Sequence, residues 1–140
     1  MLAPNQFTDA QQRLHRIQTL AHEIEAVPKF GPDLWTMRKI DEKCQLIRGD
    51  GQAISRLVGT GDVLHNTNVP AGARVVSTTA AGQIQRHLAR VSVLAQAIED
   101  VPNFGPDIWA MRKIDEESRE IVAHCGQVWM LLNPSNTSGR

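Results

Sequence analysis

An internal repeat constrains this chain more than any other feature. Laid over each other with an offset of 74, residues 13–47 and 87–121 agree at 20 of 35 positions, a level that chance does not produce in so short a window. The densest stretch reads FGPDLWTMRKIDE from Phe30 to Glu42 and FGPDIWAMRKIDE from Phe104 to Glu116. Only Leu34 is exchanged for Ile108 there, and Thr36 for Ala110. Further on, a one-residue shift aligns Gly51 and Gln52 with Gly126 and Gln127. The fold must be built from one unit used twice.

Each copy opens with apolar residues at helical spacing, Leu14, Ile17, Ala21 and Ile24 echoed by Leu88, Val91, Ala95 and Ile98. Thr8 and Gln11 have the spacing of a capping box for the first of these helices, and Pro28 and Pro102 end the pattern. VPKFGPD and VPNFGPD then read as tight connectors. Gly31 and Gly105 suit the turn, Pro32 and Pro106 the first helical position, and Asp33 and Asp107 the positive end of the following helix. The apolar stripe of that second helix is Met37, Ile40, Cys44 and Ile47 in one copy. In the other it is Met111, Ile114, Ile121, Cys125, Val128 and Leu132. Each unit is therefore expected to be a helical hairpin with antiparallel arms.

Two hairpins have four amphipathic faces to hide. The expected fold is all-α: tandem duplicated hairpins forming a four-helix bundle-like domain, with a larger bundle from two chains, a homodimer, as the alternative. The reading gives one domain, with repeat one at 8–58, a linker at 59–79, repeat two at 80–133 and a tail at 134–140. GTGD at Gly59 to Asp62 breaks the helical pattern after a further turn at 52–58. Residues 63–69 and 74–78 flank PAGA with the weak alternation of a small β-hairpin, an irregular linker being the other reading. A chain of 140 residues buries roughly two-thirds of its unfolded surface without cross-links. Two cysteines make no disulfide framework, no apolar run reaches membrane-spanning length, and Met1 to Thr8 lacks a secretory pattern. The placement expected is cytoplasmic, with no membrane partner.

At about 100° per residue, Trp35 falls opposite the stripe of the second helix, beside Lys39 and Glu42; Trp109, Lys113 and Glu116 repeat the arrangement. A tryptophan has a large apolar surface to hide. The first expectation is that it covers the connector holding Phe30 or forms the seam between units. Docking onto a partner chain and stacking on a ligand are the alternatives. Lys39, one turn after Trp35, is placed for a cation–π contact. Arg38 with Asp41 and Glu42, and Arg112 with Asp115 and Glu116, have the spacing of local salt bridges. The sharper reading makes Arg38 and Arg112 two-fold-related forks for a phosphate or carboxylate.

Catalytic signatures are sparse. His22-Glu23 begins an HExxH pattern, but Ala26 stands where the second histidine belongs. Glu116, Glu117 and Glu120 form a string that resembles half of the magnesium site of the all-α nucleoside triphosphate pyrophosphatases. No acidic residue follows Glu120, so the other half is missing. Cys44 and Cys125 sit on their helix stripes as small core residues, and the five histidines look scattered. GTGD lacks the helix and lysine of a phosphate loop, and no nucleophile elbow is present. No cofactor or metal is expected.

Fifteen basic and fifteen acidic side chains balance, which argues against a nucleic-acid binder dependent on a basic field. The functional expectation is a non-enzymatic helical binding protein, a regulatory or inhibitory module for a protein partner. Its binding residues are Trp35, Arg38, Lys39 and Glu42 with Trp109, Arg112, Lys113 and Glu116. The alternative is a protein that sequesters an anionic small ligand, such as a nucleotide, between the repeats.

Overall fold

The computed structural model describes residues 2–29, 31–60 and 76–133. They form four helices: α1 (Pro4–Glu25), α2 (Leu34–Thr60), α3 (Thr78–Glu99) and α4 (Ile108–Leu132). Adding 74 to the first residue of α1 or α2 gives the first residue of α3 or α4, so the duplication of sequence is a duplication of structure.

The first helix of each unit begins earlier than the periodicity indicated, whereas α2 and α4 begin at Leu34 and Ile108, two residues past the Pro32 and Pro106 expected to open them. Thr8 lies inside α1, and the N-cap is Ala3, whose N–H donates to Gln6 Oε1 at 2.9 Å, with Pro4 supplying the preset first turn. Ser77 occupies the equivalent place before α3 and accepts from the Ala80 N–H at 3.0 Å. Leu2 and Val76, one residue further out, are both buried against the helix ends. The real repeat thus starts at about residue 2 in one copy and 76 in the other. The β-hairpin considered for 63–69 and 74–78 lies mostly outside the described residues, and Thr78 belongs to α3.

The connectors are alike in both units. Pro28 and Pro102, which have no N–H to continue the ladder, follow the last turns of α1 and α3. Gly31 and Gly105 then take φ +58° and +60°, a left-handed turn that a Cβ disfavours. Asp33 and Asp107 are the N-caps rather than first-turn residues. Asp33 Oδ1 accepts from the Thr36 N–H and Asp107 Oδ1 from the Ala110 N–H, each at 2.8 Å. Such a cap contributes about 1 kcal/mol.

α2 runs unbroken through Gly49 and Gly51 to Thr60, the second residue of GTGD, so residues 52–58 are no separate turn but part of the same helix. Nor is there a one-residue shift. Ile47, Gly51, Ile54 and Val58 are buried on α2 at the same spacing as Ile121, Cys125, Val128 and Leu132 on α4. A helix keeps its buried stripe in phase only if no residue is inserted. The alignment of Gly51 with Gly126 is a coincidence of composition.

Among the described residues α1 packs on α2 and α4, α3 packs on the same two, and the like helices face each other across the diagonals. Ion pairs set the directions. Lys43 on α2 meets Glu23 on α1, Arg48 on α2 meets Glu99 on α3, and Arg119 on α4 meets Glu25 on α1. Every neighbouring pair is antiparallel, so both connectors lie at one end of an up-down-up-down bundle. The core is one continuous apolar cluster from all four helices, including both cysteines. Burial pushes the Cys44 and Cys125 thiols up to about 12, which keeps them protonated and inert.

At the connector end each unit reaches across to the other. Lys29 of the first connector pairs with Asp115 of α4 at 3.2 Å, and Arg119 links Asp115 to Glu25. Asn103 of the second connector lies beside the carboxyl of Asp41 on α2, the residue equivalent to Asp115, and favours its ionised form. These reciprocal contacts hold the opening turns of α2 and α4 in fixed places, and those turns carry the tryptophans.

Candidate binding faces

Trp35 and Trp109 sit two residues past their Asp caps, on the first turns of α2 and α4. Both point away from the core: Trp35 is 70% exposed and Trp109 69%. The expectation that they cover a connector or seal the seam between units is therefore overturned. α2 and α4 each have two helical neighbours, on the sides carrying Met37, Ile40 and Cys44 or Met111, Ile114 and Ser118, and the face with the tryptophan meets neither.

Each tryptophan has a cation over its ring, and the cation is arginine rather than Lys39. The Arg38 guanidinium carbon lies 5.4 Å from the Trp35 ring centroid, and that of Arg112 lies 5.2 Å from Trp109. Three residues along a helix brings the flat guanidinium back over the indole, and an exposed contact of this kind contributes about 0.5–1 kcal/mol. The local salt bridges expected of Arg38 with Asp41 and Glu42, and of Arg112 with Asp115 and Glu116, are not formed. Asp41 and Asp115 turn inward to the opposite unit's connector instead. Lys39, Glu42, Lys113 and Glu116 are all exposed on the same faces as the tryptophans.

Beside Trp35 runs an open groove of about 250 Å³, with Val27 and Ile40 as its apolar floor and Lys39, Lys43 and Asp33 on its rim. The hydrogen bond from the Thr36 backbone N–H holds the Asp33 carboxyl below its ordinary range, so this cap stays charged in mild acid. At the second face Phe104, 79% exposed, adds a further aromatic at the connector end. The repeated FGPD motif marked that position, but periodicity carried no information on which way a loop residue points.

The two faces belong to diagonally opposite helices, so the described residues bring Arg38 and Arg112 together in no shared pocket. The acidic string Glu116, Glu117 and Glu120 gathers no partners for a metal, and no group of three potential ligands occurs among the described residues. Burial raises the Glu117 carboxyl above its usual value. The histidines are not all scattered. His87 on α3 and His124 on α4 meet through their Nδ1 atoms at 2.9 Å, a pairing missed because positions 87 and 124 become neighbours only once the hairpin is folded. No protein-family model, curated protein or solved structure matches this chain.

Proposed function

We propose that this chain is a helical binding module that recognises a protein partner through two equivalent faces, Trp35 with Arg38, Lys39 and Glu42, and Trp109 with Arg112, Lys113 and Glu116. The observation that carries this reading is the repeated exposure of an arginine-stacked tryptophan. Tryptophan and arginine are the residues most enriched at binding hot spots, and two indoles left in water are costly unless a partner covers them. The groove beside Trp35 suits an apolar side chain flanked by an acid, which Lys39 and Lys43 would meet. A regulatory or inhibitory role is the one that a surface built for contact would serve.

The diagonal placement favours two separate contacts over one shared ligand site, so the partner is bound twice or is itself two-fold symmetric. A test uses Trp35→Ala, Trp109→Ala and the double variant in quantitative affinity capture. Each single variant is expected to weaken capture and the double to abolish it, with helical circular dichroism unchanged. Unfolding of the single variants, or undiminished capture by the double, would refute the proposal. A melting shift with nucleotides that depends on Arg38 and Arg112 would favour the anionic-ligand reading instead.

A further inference from the structure

The two halves of the bundle solve one packing problem in different ways. On the α1–α2 seam Asp50, 1% exposed, accepts from Arg13 Nη1 at 3.0 Å and from Arg16 Nε and Nη2 at 2.6 and 2.7 Å. On the α3–α4 seam the equivalent positions hold His124, His87 and Arg90. Where the first unit has a complementary ion pair, the second sets two imidazoles Nδ1 to Nδ1 at 2.9 Å, with ring centroids 5.1 Å apart. The fold does not need this substitution, because the same chain shows a charge-paired alternative at the matching place.

We infer that His87 and His124 form a two-imidazole chelate for a divalent late first-row transition-metal ion, Cu²⁺ ahead of Ni²⁺ and Zn²⁺. Metal–imidazole bonds are about 2.0–2.1 Å, so two nitrogens subtending a right angle at the ion stand about 2.9 Å apart, and at a tetrahedral angle about 3.3 Å. The observed separation is the first of these. The rings now meet nearly head-on in a hydrogen bond, with centroids 5.1 Å apart, so chelation moves the bridging Nδ1 proton through solvent to the Nε2 of the same ring and tilts both rings until their lone pairs converge. Solvent reaches the pair through an open pocket of about 490 Å³, which leaves room for water on the remaining positions of the ion.

The surrounding charges decide which ions suit the site. Arg86 lies at the rim of the pocket, and Arg90 stands beside Glu120, its Nη2 3.8 Å from Oε2, at the loose edge of ion pairing. Glu120, one turn before His124, is the nearby anion, and Glu117 lies further along the same helix. With cations at least balancing anions, an oxygen-seeking ion such as Mg²⁺ gains little here. An ion held by imidazole nitrogen gains most, and its order is Cu²⁺ above Ni²⁺ and Zn²⁺. Burial, His87 and Arg90 together hold His124 below its ordinary pKa, so the ring is neutral and its lone pair available at neutral pH. The buried, protonated Cys44 and Cys125 do not compete.

The full chain, free of any histidine tag, is titrated with CuCl₂, NiCl₂ and ZnCl₂, and with MgCl₂ as control, by calorimetry and by thermal melting. One Cu²⁺ per chain is expected, with melting raised by roughly 5–10 °C at a hundredfold excess over the dissociation constant and no response to Mg²⁺. The double variant H87R/H124D installs the first unit's own pair, so it keeps the bundle folded and is expected to lose the tight site, at least tenfold in affinity. His15→Ala and His22→Ala should bind as the parent does. Unchanged Cu²⁺ affinity in H87R/H124D, or a parent that binds no more tightly than that variant, would show a hydrogen-bonded pair with no metal role and overturn the inference.

Discussion

Asp50 and His124 occupy the same place in the two hairpins, and each meets the residue equivalent to the other's partner, Arg13 at 3.0 Å and His87 at 2.9 Å. One backbone arrangement thus accommodates a buried ion pair and an imidazole pair. The bundle's geometry comes from the apolar stripes, while the polar residue at the seam is free to vary as long as its partner varies with it.

Asp50→Ala tests how much the ion-paired seam contributes. The carboxylate is buried and takes three charge-assisted bonds, whereas Arg13 and Arg16 are about a third and half exposed and can return to water. The loss is expected at about 2–3 kcal/mol, below that of a fully buried pair, because solvent reclaims the arginines. Chemical denaturation would read it as a lower midpoint with unchanged slope.

The imidazole seam predicts a pH dependence. His124 is held below its unfolded value of 6.5, chiefly by burial. Above that value the ring is neutral in both states and stability is unaffected. As pH falls through 6.5 toward the lower folded pKa, the unfolded chain takes up the proton first, so stability declines. Melting temperature should fall in this window in metal-free buffer, and the decline should be smaller in H87R/H124D.

Gly31 and Gly105 carry the left-handed turns of the connectors, and a Cβ at either meets nothing within 4 Å. The cost of Gly→Ala is therefore backbone strain alone, about 1 kcal/mol at each. The connectors are separate, so the double variant should show about the sum. A much larger loss at one of them would mean that its connector does more than turn.

The sequence showed the duplicated hairpins, the two connectors and most of the core because each is written in identical residues or in strong periodicity. The first turns of α1 and α3 were hidden. Residues 4–12 and 78–86 share only Gln11 and Gln85, while the core volume is redistributed, Phe7 and Ala10 standing opposite Ala81 and Ile84. Residues 52–58 read as a separate further turn, but α2 runs through Gly49 and Gly51 because packing against α1 and α3 outweighs their weak helix propensity. The wheel put the tryptophans on the outer face, and only the cost of exposing an indole argued that something in the chain must cover them.

Asp41 and Asp115 close the account of what duplication preserves and what it lets drift. Both sit on the inward side of their helices with Oδ1 buried and without a hydrogen-bond partner. Asp115 has Lys29 at 3.2 Å and Arg119 at 3.0 Å, two cations that offset its desolvation. Asp41 has Asn103 where Lys29 would be, and burial raises its carboxyl above the usual range despite that polar neighbour. A raised carboxyl means that the ionised form is a burden at neutral pH, one that lifts as pH falls through the folded value toward 3.8. Asp41→Asn should therefore be neutral or stabilising at pH 7, its advantage shrinking on acidification. Asp115→Asn, which takes the carboxylate from Lys29 and leaves Arg119 to Glu25 alone, should cost about 1–2 kcal/mol. Paired melts of the two variants from neutral to acid pH separate these outcomes; equal losses at both positions would mean that Asn103 serves Asp41 as well as Lys29 serves Asp115.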